Sequence, residues 1–479
     1  MKTTLYALLV AIALAAAGFA VAARTAADRE YAPAGPVWFV SPDGDDAAEG
    51  SAETPWRSIR KAAEAATPGT TVFLRGGTYT EEVLIDCSGE KGAPVTFKAC
   101  EGETPLLDGG NGQGVLDDPV LSKSIRDMNA FLEAARRLPP FNPDQGILRI
   151  TGSWLVFDGI HITGSPAAGM YFCEGASHIV VQNCSVTHCV APGICFGAEN
   201  SPSTDIKVLH NYVYNCSQRS REAISLRTVD TFEVAFNKVE LVIKESIDAK
   251  SGCRNGTIHH NYVLNSGHCG IYLDAGFPDR PEEENIEIYD NIVENPYGTA
   301  ICVAAEAGNS ISEVRIYNNL VWSVRPENRG CGIKVAKNSD NTDGLIKDIY
   351  IYHNTVYGFK QQGIYVNYPQ VENIRICNNI SANTLNQLAI RDQDVKDPKQ
   401  IVMDRNLAHG PVSHPGRGLI TGDPLFTDPE GGDFTLREGS PAIDTGYKKF
   451  STSHDLTGEV RPQGRAADLG AYEYKRKKK

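Results

Sequence analysis

One short segment recurs down this chain and restricts what it can fold into. LVFDGIHI, VVQNCSV, VLHNYVY, VAFNKVE, TIHHNYVL, IYDNIVE, IYNNLVW, IYHNTVY and IRICNNIS follow one another, each rich in β-branched and aromatic residues. Each carries Asn or Asp near its middle: Asp158, Asn183, Asn211, Asn237, Asn261, Asn291, Asn319, Asn354 and Asn379. The separations are 25, 28, 26, 24, 30, 28, 35 and 25 residues. A unit of that length is one coil of three short strands and their turns. One coil cannot bury its apolar face alone, so it must stack on its neighbours. Parallel strands lie about 4.8 Å apart, so a residue type repeated at one turn stacks on itself. Asn suits such a turn, because it tolerates unusual backbone angles and its amide can bond along the stack. A propeller or a leucine-rich repeat is disfavoured: no regular Trp-Asp ending and no L-x-x-L-x-L frame occurs. The expected fold is all-β, a single-stranded right-handed parallel β-helix.

A second strand family follows each Asn segment: GICFGAE, AISLRT, SIDAKS, GIYLDAG, AICVAAE, GIKVAK and GIYVNY. Alternation sends the first apolar residue and the one two positions later inward. These are Ile194/Phe196, Ile224/Leu226, Ile247/Ala249, Ile271/Leu273, Ile301/Val303, Ile333/Val335 and Ile364/Val366. One outward column then reads Cys195, Ser225, Asp248, Tyr272, Cys302, Lys334, Tyr365. The next reads Gly197, Arg227, Lys250, Asp274, Ala304, Ala336, Asn367.

The remaining segments read as follows. Residues 1–23 have the order of a secretory signal peptide: Lys2, an apolar run, then the small residues Ala20, Val21 and Ala22. This predicts a secreted protein, extracellular or periplasmic, with no membrane span after signal removal. Residues 24–36 read as a linker, and 37–116 as an N-terminal cap and first coils with an amphipathic helix near Ser58–Ala66. Residues 117–145 break the repeat as a helical insertion. The β-helix repeats run over 146–408, a turn-rich C-terminal closing segment over 409–474, and a basic tail over 475–479. Twelve Cys lack paired C-x-x-C spacing, so they read as small buried fillers rather than a zinc ribbon. The net charge of −13 argues against nucleic acid as a partner. It leaves room for a local basic cluster that binds an acidic polysaccharide. A monomer is expected.

The opening block, with its VSP-x-G-x-D, P-W-x-S-I and G-x-Y pattern, resembles secreted pectin-lyase-like β-helix proteins. The ending, SPAID-x-G…D-x-x-G-x-x-R-P…D-x-G-A-Y-E-Y, resembles the same group. The resemblance implies the fold and export; it does not fix the reaction, because one fold hosts many functions.

The chemistry concentrates in the middle coils. Arg227, Asp248, Lys250, Tyr272 and Asp274 are expected on one exposed patch, with Glu222 and Glu245 at its edge. His268 precedes the strand of Tyr272 and Asp274. Residues 245–276 resemble two kinds of uronate-polymer enzyme. In mannuronan epimerases a Tyr-Gly-x-Asp-Pro-His segment is followed one coil later by another Asp. Asp248 and Asp274 match those Asp residues, Lys250 stands where the His would be, and Glu245 replaces the Tyr. In chondroitinase B-like and alginate lyases a Glu precedes a Lys-Ser pair by the spacing of Glu245 to Lys250-Ser251. There the Glu helps hold calcium and the Lys is the base. Calcium at Glu245, Asp248 and Asp274 is the metal this resemblance implies. The Leu-Arg-His-Gly expected next is Leu273-Asp274-Ala275-Gly276 here, so the acid Arg is missing. The acidic loop 277–284 is read as an exposed charged turn.

Both families must remove the proton beside a uronate carboxylate, which takes a base and a means of stabilising the resulting charge. Lys250 is the expected base, Tyr272 the donor to the leaving oxygen, and Arg227, Glu222 and His268 the substrate contacts. Lys250 must lose its charge to act as a base, and its acidic neighbours oppose that; if charged, it binds substrate. The leading expectation is a polysaccharide lyase or epimerase. A glycoside hydrolase using paired carboxylates among Glu222, Glu245, Asp248 and Asp274 is the second reading. A non-catalytic glycan-binding β-helix, with Tyr272, Tyr365 and Tyr368 stacking on sugars, is the third.

Overall fold

The computed structural model describes residues 35–110, 145–197, 201–218, 222–276, 279–326, 328–337, 340–390 and 394–476. The signal peptide, nearly all of the linker and insertion, and the last three tail residues lie outside them. The described chain is a parallel β-solenoid. Successive strands of each coil join three long sheets of 14, 13 and 11 strands, called here the first, second and third in chain order around the coil. A helix, α1 (Ile59–Ala65), is capped by Ser58, whose hydroxyl accepts from the Lys61 N–H at 3.2 Å. Ile59, Ala62 and Ala63 on its inner face join the main core.

The interior is built from repeated columns. All seven inward pairs expected from the second strand family are buried in one continuous cluster. The twelve cysteines are thiols; Cys87 and Cys100 are partly exposed and the other ten are buried.

An amide ladder runs at the turn between the first and second sheets. It comprises Asn211, Asn237, Asn261, Asn291, Asn319, Asn354, Asn379 and Asn406. Each Nδ2 donates to the Oδ1 of the next at 2.9–3.0 Å, and each backbone N–H donates to that same oxygen. The second Nδ2 hydrogen of each goes to a strand carbonyl, as from Asn291 to Ile258 at 2.9 Å. Asp158 and Asn183 do not belong to this ladder. Asp158 pairs with Gln182 and Gln182 with Leu209, so Asp158 sits two positions short of the ladder and Asn183 one short. Cys184 takes the ladder position there, its N–H donating to Asn211 Oδ1 at 3.0 Å. The left-handed backbone belongs to the residue before the ladder, as in His210, Phe236, His260, Asp290 and Asn318. The two reasons for Asn at this turn thus apply to adjacent residues.

The closing segment lies along the solenoid rather than across its end. Its antiparallel hairpin, Phe426–Asp428 with Asp433–Leu436, brings Phe426, Phe434 and Leu436 onto Leu320, Trp322, Tyr357 and Leu407. Those four are on strands of the second sheet, or end them, so the segment covers that sheet's outer face.

Asn291→Ala should unfold at a lower temperature than the parent. It removes the oxygen that accepts from two buried donors of Asn261, and each orphaned donor costs roughly 1–3 kcal/mol. Thermal melts followed by circular dichroism check this.

Candidate functional site

Four neighbouring parallel strands of the third sheet carry the site: β1 (Ile224–Arg227), β2 (Ile247–Lys250), β3 (Ile271–Ala275) and β4 (Ile301–Ala305). Ser225, Asp248, Tyr272 and Cys302 pair in one register column. Arg227, Lys250, Asp274 and Ala304 pair in the other. The inward Ile and Leu residues between them fix these columns on the outer face, as the sequence predicts.

Lys250 is the centre of a buried ion cluster. Its Nζ lies 2.5 Å from Glu222 Oε1 and 3.0 Å from Asp248 Oδ2. Ser225 Oγ donates to the other Glu222 oxygen at 2.8 Å. Exposure is 8% for Lys250, 8% for Glu222 and 1% for Asp248, so the patch is far less open than the sequence suggests. Burial works against the ammonium, but the charges of Asp248 and Glu222 outweigh it and hold Lys250 above its ordinary range. Glu245, also buried, is hydrogen-bonded to His268 Nδ1. Burial raises that carboxyl, yet His268 and then Lys244 bring it below its usual range.

Tyr272 is buried and donates its hydroxyl to Glu306 Oε1 at 2.5 Å. Burial, with the nearby Cys302, Asp274 and Glu306, pushes the phenol far upward. Asp274 is only partly exposed. Burial and then the Glu306 charge push its carboxyl up to about 7, against the pull of Lys250. The buried Oδ1 atoms of Asp274 and Asp248 have no hydrogen-bond partner.

Two carboxylates escape the sequence reading. Glu306 follows β4 directly, one residue beyond Ala305, which pairs with Ala275. Its signal is the acidic end of AICVAAE, on the coil next to Asp274. Glu283 is the second. It pairs in register with the inward Ile311 and is fully buried. Gly252 N–H donates to one of its oxygens at 3.3 Å, and the other oxygen has no partner. Burial, then Asp274 and Asp248, push this carboxyl well above its normal range. The acidic loop is therefore not uniformly exposed: Pro281 and Glu282 face solvent, whereas Glu283 points into the core. Phe277 and Pro278 lie outside the described residues.

Three expectations need correction. Calcium does not fit at Glu245, Asp248 and Asp274. Glu245 is held by His268 and Asp248 by the Lys250 ammonium, which takes the place of a cation. Among the described residues no group of three or more His, Cys, Asp or Glu is placed to hold a metal. Tyr272 is not a ready proton donor, since its hydroxyl is committed to Glu306. Tyr272, Tyr365 and Tyr368 offer no stacking surface, being exposed by only 4%, 8% and 0%.

Glu283→Gln should stabilise the fold at pH 8 by roughly 1–3 kcal/mol, the scale of a buried polar group left unpaired. The folded carboxyl titrates above its unfolded value. Its contribution is therefore fully present below the unfolded value and is lost as pH rises through the folded one. The advantage of the amide should vanish near pH 4. Urea melts at both pH values test this.

Comparisons with known proteins agree with this architecture. A family model described as a Pel9A-like right-handed β-helix region matches residues 38–234. A general right-handed β-helix model matches 145–343. The uncharacterized protein YwoF of Bacillus subtilis (strain 168) is 25% identical over 467 residues, covering 85% of this chain and 92% of that protein. Pectate lyase PEL9 of Emericella nidulans is 37% identical over 124 residues, covering 25% of this chain and 26% of that enzyme. The crystal structure of pectate lyase Pel9A superposes with a TM-score of 0.53 at 15% identity, covering 92% of this chain and 97% of that one; at that identity the likeness is one of fold. The described chain is a parallel β-helix, and over residues 38–234 it is similar to the Pel9A-like right-handed β-helix region.

Proposed function

We propose that this protein is an exported polysaccharide lyase that cleaves a uronate-containing polymer by β-elimination on the outer face of β1, β2 and β3. One observation carries the reading. Arg227, Lys250 and Asp274 occupy the same register position on three consecutive strands. Two cations therefore share a column with one carboxyl pushed up to about 7: Lys250 stands on the adjacent strand and Arg227 one strand further. The stretch shared with PEL9 and the fold shared with Pel9A, both pectate lyases by name, support the same class.

Lys250 carries charge and is gripped by two carboxylates, so the base role passes from it to Asp274. In this reading Arg227 and Lys250 receive the uronate carboxylate and the negative charge that spreads onto it. Asp274, as carboxylate, takes the C5 proton. The electron pair forms the C4–C5 double bond, the C4–O4 bond breaks, and the leaving oxygen takes a proton from water. A base titrating near the working pH is well matched to this step. Epimerisation shares the same first step and differs only in returning the proton to the opposite face. The paired carboxylates a hydrolase needs are less apparent, because Glu222, Asp248 and Glu245 each already hold a cationic or imidazole group.

Incubation with pectic, alginate and glycosaminoglycan polymers should produce the ultraviolet absorbance of an unsaturated uronate on one of them. Asp274→Asn and Lys250→Ala should each lower kcat/KM by about 100-fold or more. The rate should rise as pH increases through about 7, because the base must be deprotonated, and should level off above. New reducing ends without absorbance point to hydrolysis. Binding without turnover on every polymer points to a glycan-binding module.

A further inference from the structure

The turn between the second and third sheets forms one edge of the solenoid, and Glu222, Glu245 and His268 lie on it. C-terminal to the candidate site the same turn carries Tyr297, Arg329 and Lys360 on successive coils. Backbone hydrogen bonds stack these turns directly. His268 N–H donates to Lys244 O at 3.3 Å, and Tyr297 N–H to Ser266 O at 2.7 Å. Arg329 N–H donates to Tyr297 O at 2.8 Å, Leu385 N–H to Gln361 O at 3.0 Å, and Gln387 N–H to Pro411 O at 3.1 Å. The Gly298 and Gly330 positions leave no room for a Cβ against the preceding turn. The spacing along the edge is thus that of the coil, about 4.8 Å, a rise of the order of one sugar unit.

The side chains along this edge share a character. Lys244, Arg329 and Lys360 are exposed, and the His268 side chain is 56% exposed. The Arg329 guanidinium lies 5.8 Å from the centre of the Tyr297 ring. Glu245, the acidic neighbour at the near end, is already held by His268. The edge ends at a groove of about 650 Å³ between the last coils and the closing segment. That volume suits a sugar of one or two units. Phe426 lines it, with Thr384, His409 and Arg437 among its polar groups. Thr384 is buried, and its hydroxyl has no hydrogen-bond partner. The groove's two carboxylates are turned to their own loops: Asp423 accepts from Leu425 N–H at 2.8 Å and Asp428 from Gly431 N–H at 3.2 Å.

We propose that this edge, from His268 through Tyr297, Arg329 and Lys360 to the Thr384–Arg437 groove, is a binding track for an anionic polysaccharide chain. The inference rests on the uronate reading for the sugar class alone; it does not depend on which reaction follows. The run from the His268 turn to the Pro411 turn is five coil steps, about 24 Å, so the track holds several sugar units beyond the site. Arg329 and Lys360, one coil apart, match carboxylates spaced one residue apart, and Tyr297 beside Arg329 offers a ring to the chain. The two cations act locally inside an acidic whole, since charges more than about 8–10 Å apart at the surface are screened by salt.

The test is binding of fluorescently labelled polygalacturonate and alginate to the full protein, with neutral xylan as the comparison. An acidic polymer should bind, and added salt should weaken it. The double variant Arg329→Ala/Lys360→Ala should reduce affinity about tenfold or more at unchanged melting temperature. Arg329→Lys/Lys360→Arg should restore most of the loss. Arg437→Ala should weaken long chains more than trisaccharides. Binding of xylan as tight as that of the acidic polymers overturns the proposal, as does an undiminished affinity in the double alanine variant. Failure of both acidic polymers to bind overturns it too. These results are separable from the reaction. A variant that loses binding in a protein without lyase activity supports the track and sinks the lyase. Lyase activity with track variants of full affinity does the reverse.

Discussion

The structure depends on registered stacking at the turn between the first and second sheets. Each ladder Asn there satisfies backbone and amide donors of its neighbour, and these donors are buried. The ladder fixes the register of the coils from Asn211 to Asn406. A slip of one residue would turn each strand over and send its Ile and Val columns to solvent. The ladder therefore holds the inward pairs in the core, and by the same alternation it holds Arg227, Lys250 and Asp274 in one outward column. Stability and site geometry come from a single constraint.

The charge pattern at the site follows from burial. Lys250 is nearly inaccessible and is shared between Glu222 and Asp248. Removing either partner from such a pair is costly, because the other charge is left behind. This favours a Lys250 that keeps its proton and binds, rather than one that accepts a proton from substrate. It also explains why calcium has no place among these carboxylates. Asp274 differs in standing beside Glu306 with one oxygen unpaired. Burial and the Glu306 charge push Asp274 up to about 7 while Lys250 stays charged, which is how one surface can bind an anion and still hold a base.

The closing segment decides which surface stays available. By covering the second sheet with Phe426, Phe434 and Leu436 it closes one broad face. The candidate site and the basic edge lie away from it, on the third sheet and on the turn leading into that sheet. The edge would not be noticed from overall charge, since the chain is acidic. Its basic residues are some 30 residues apart in sequence and one coil apart in space.

The solenoid, the inward pairs and the two outward columns were legible in the sequence, because β alternation and the coil repeat act residue by residue. Asp158 and Asn183 were misplaced in the ladder because Asn and Asp are favoured at two adjacent turn positions for different reasons. Glu306 was missed because it follows a strand whose other outward residues are Cys and Ala. Glu283 was missed because a carboxyl in an apolar column looks, in sequence, like one more residue of an acidic loop. The depth of burial around Lys250, the engagement of Tyr272 with Glu306 and the direction taken by the closing segment were set only by tertiary structure. The sequence by itself determined which residues share a column, since that depends on local alternation and repeat length. What those residues can do was decided by the folded molecule, because burial and the charges of neighbouring coils set proton affinity and contact, and neither is a property of any local stretch of chain.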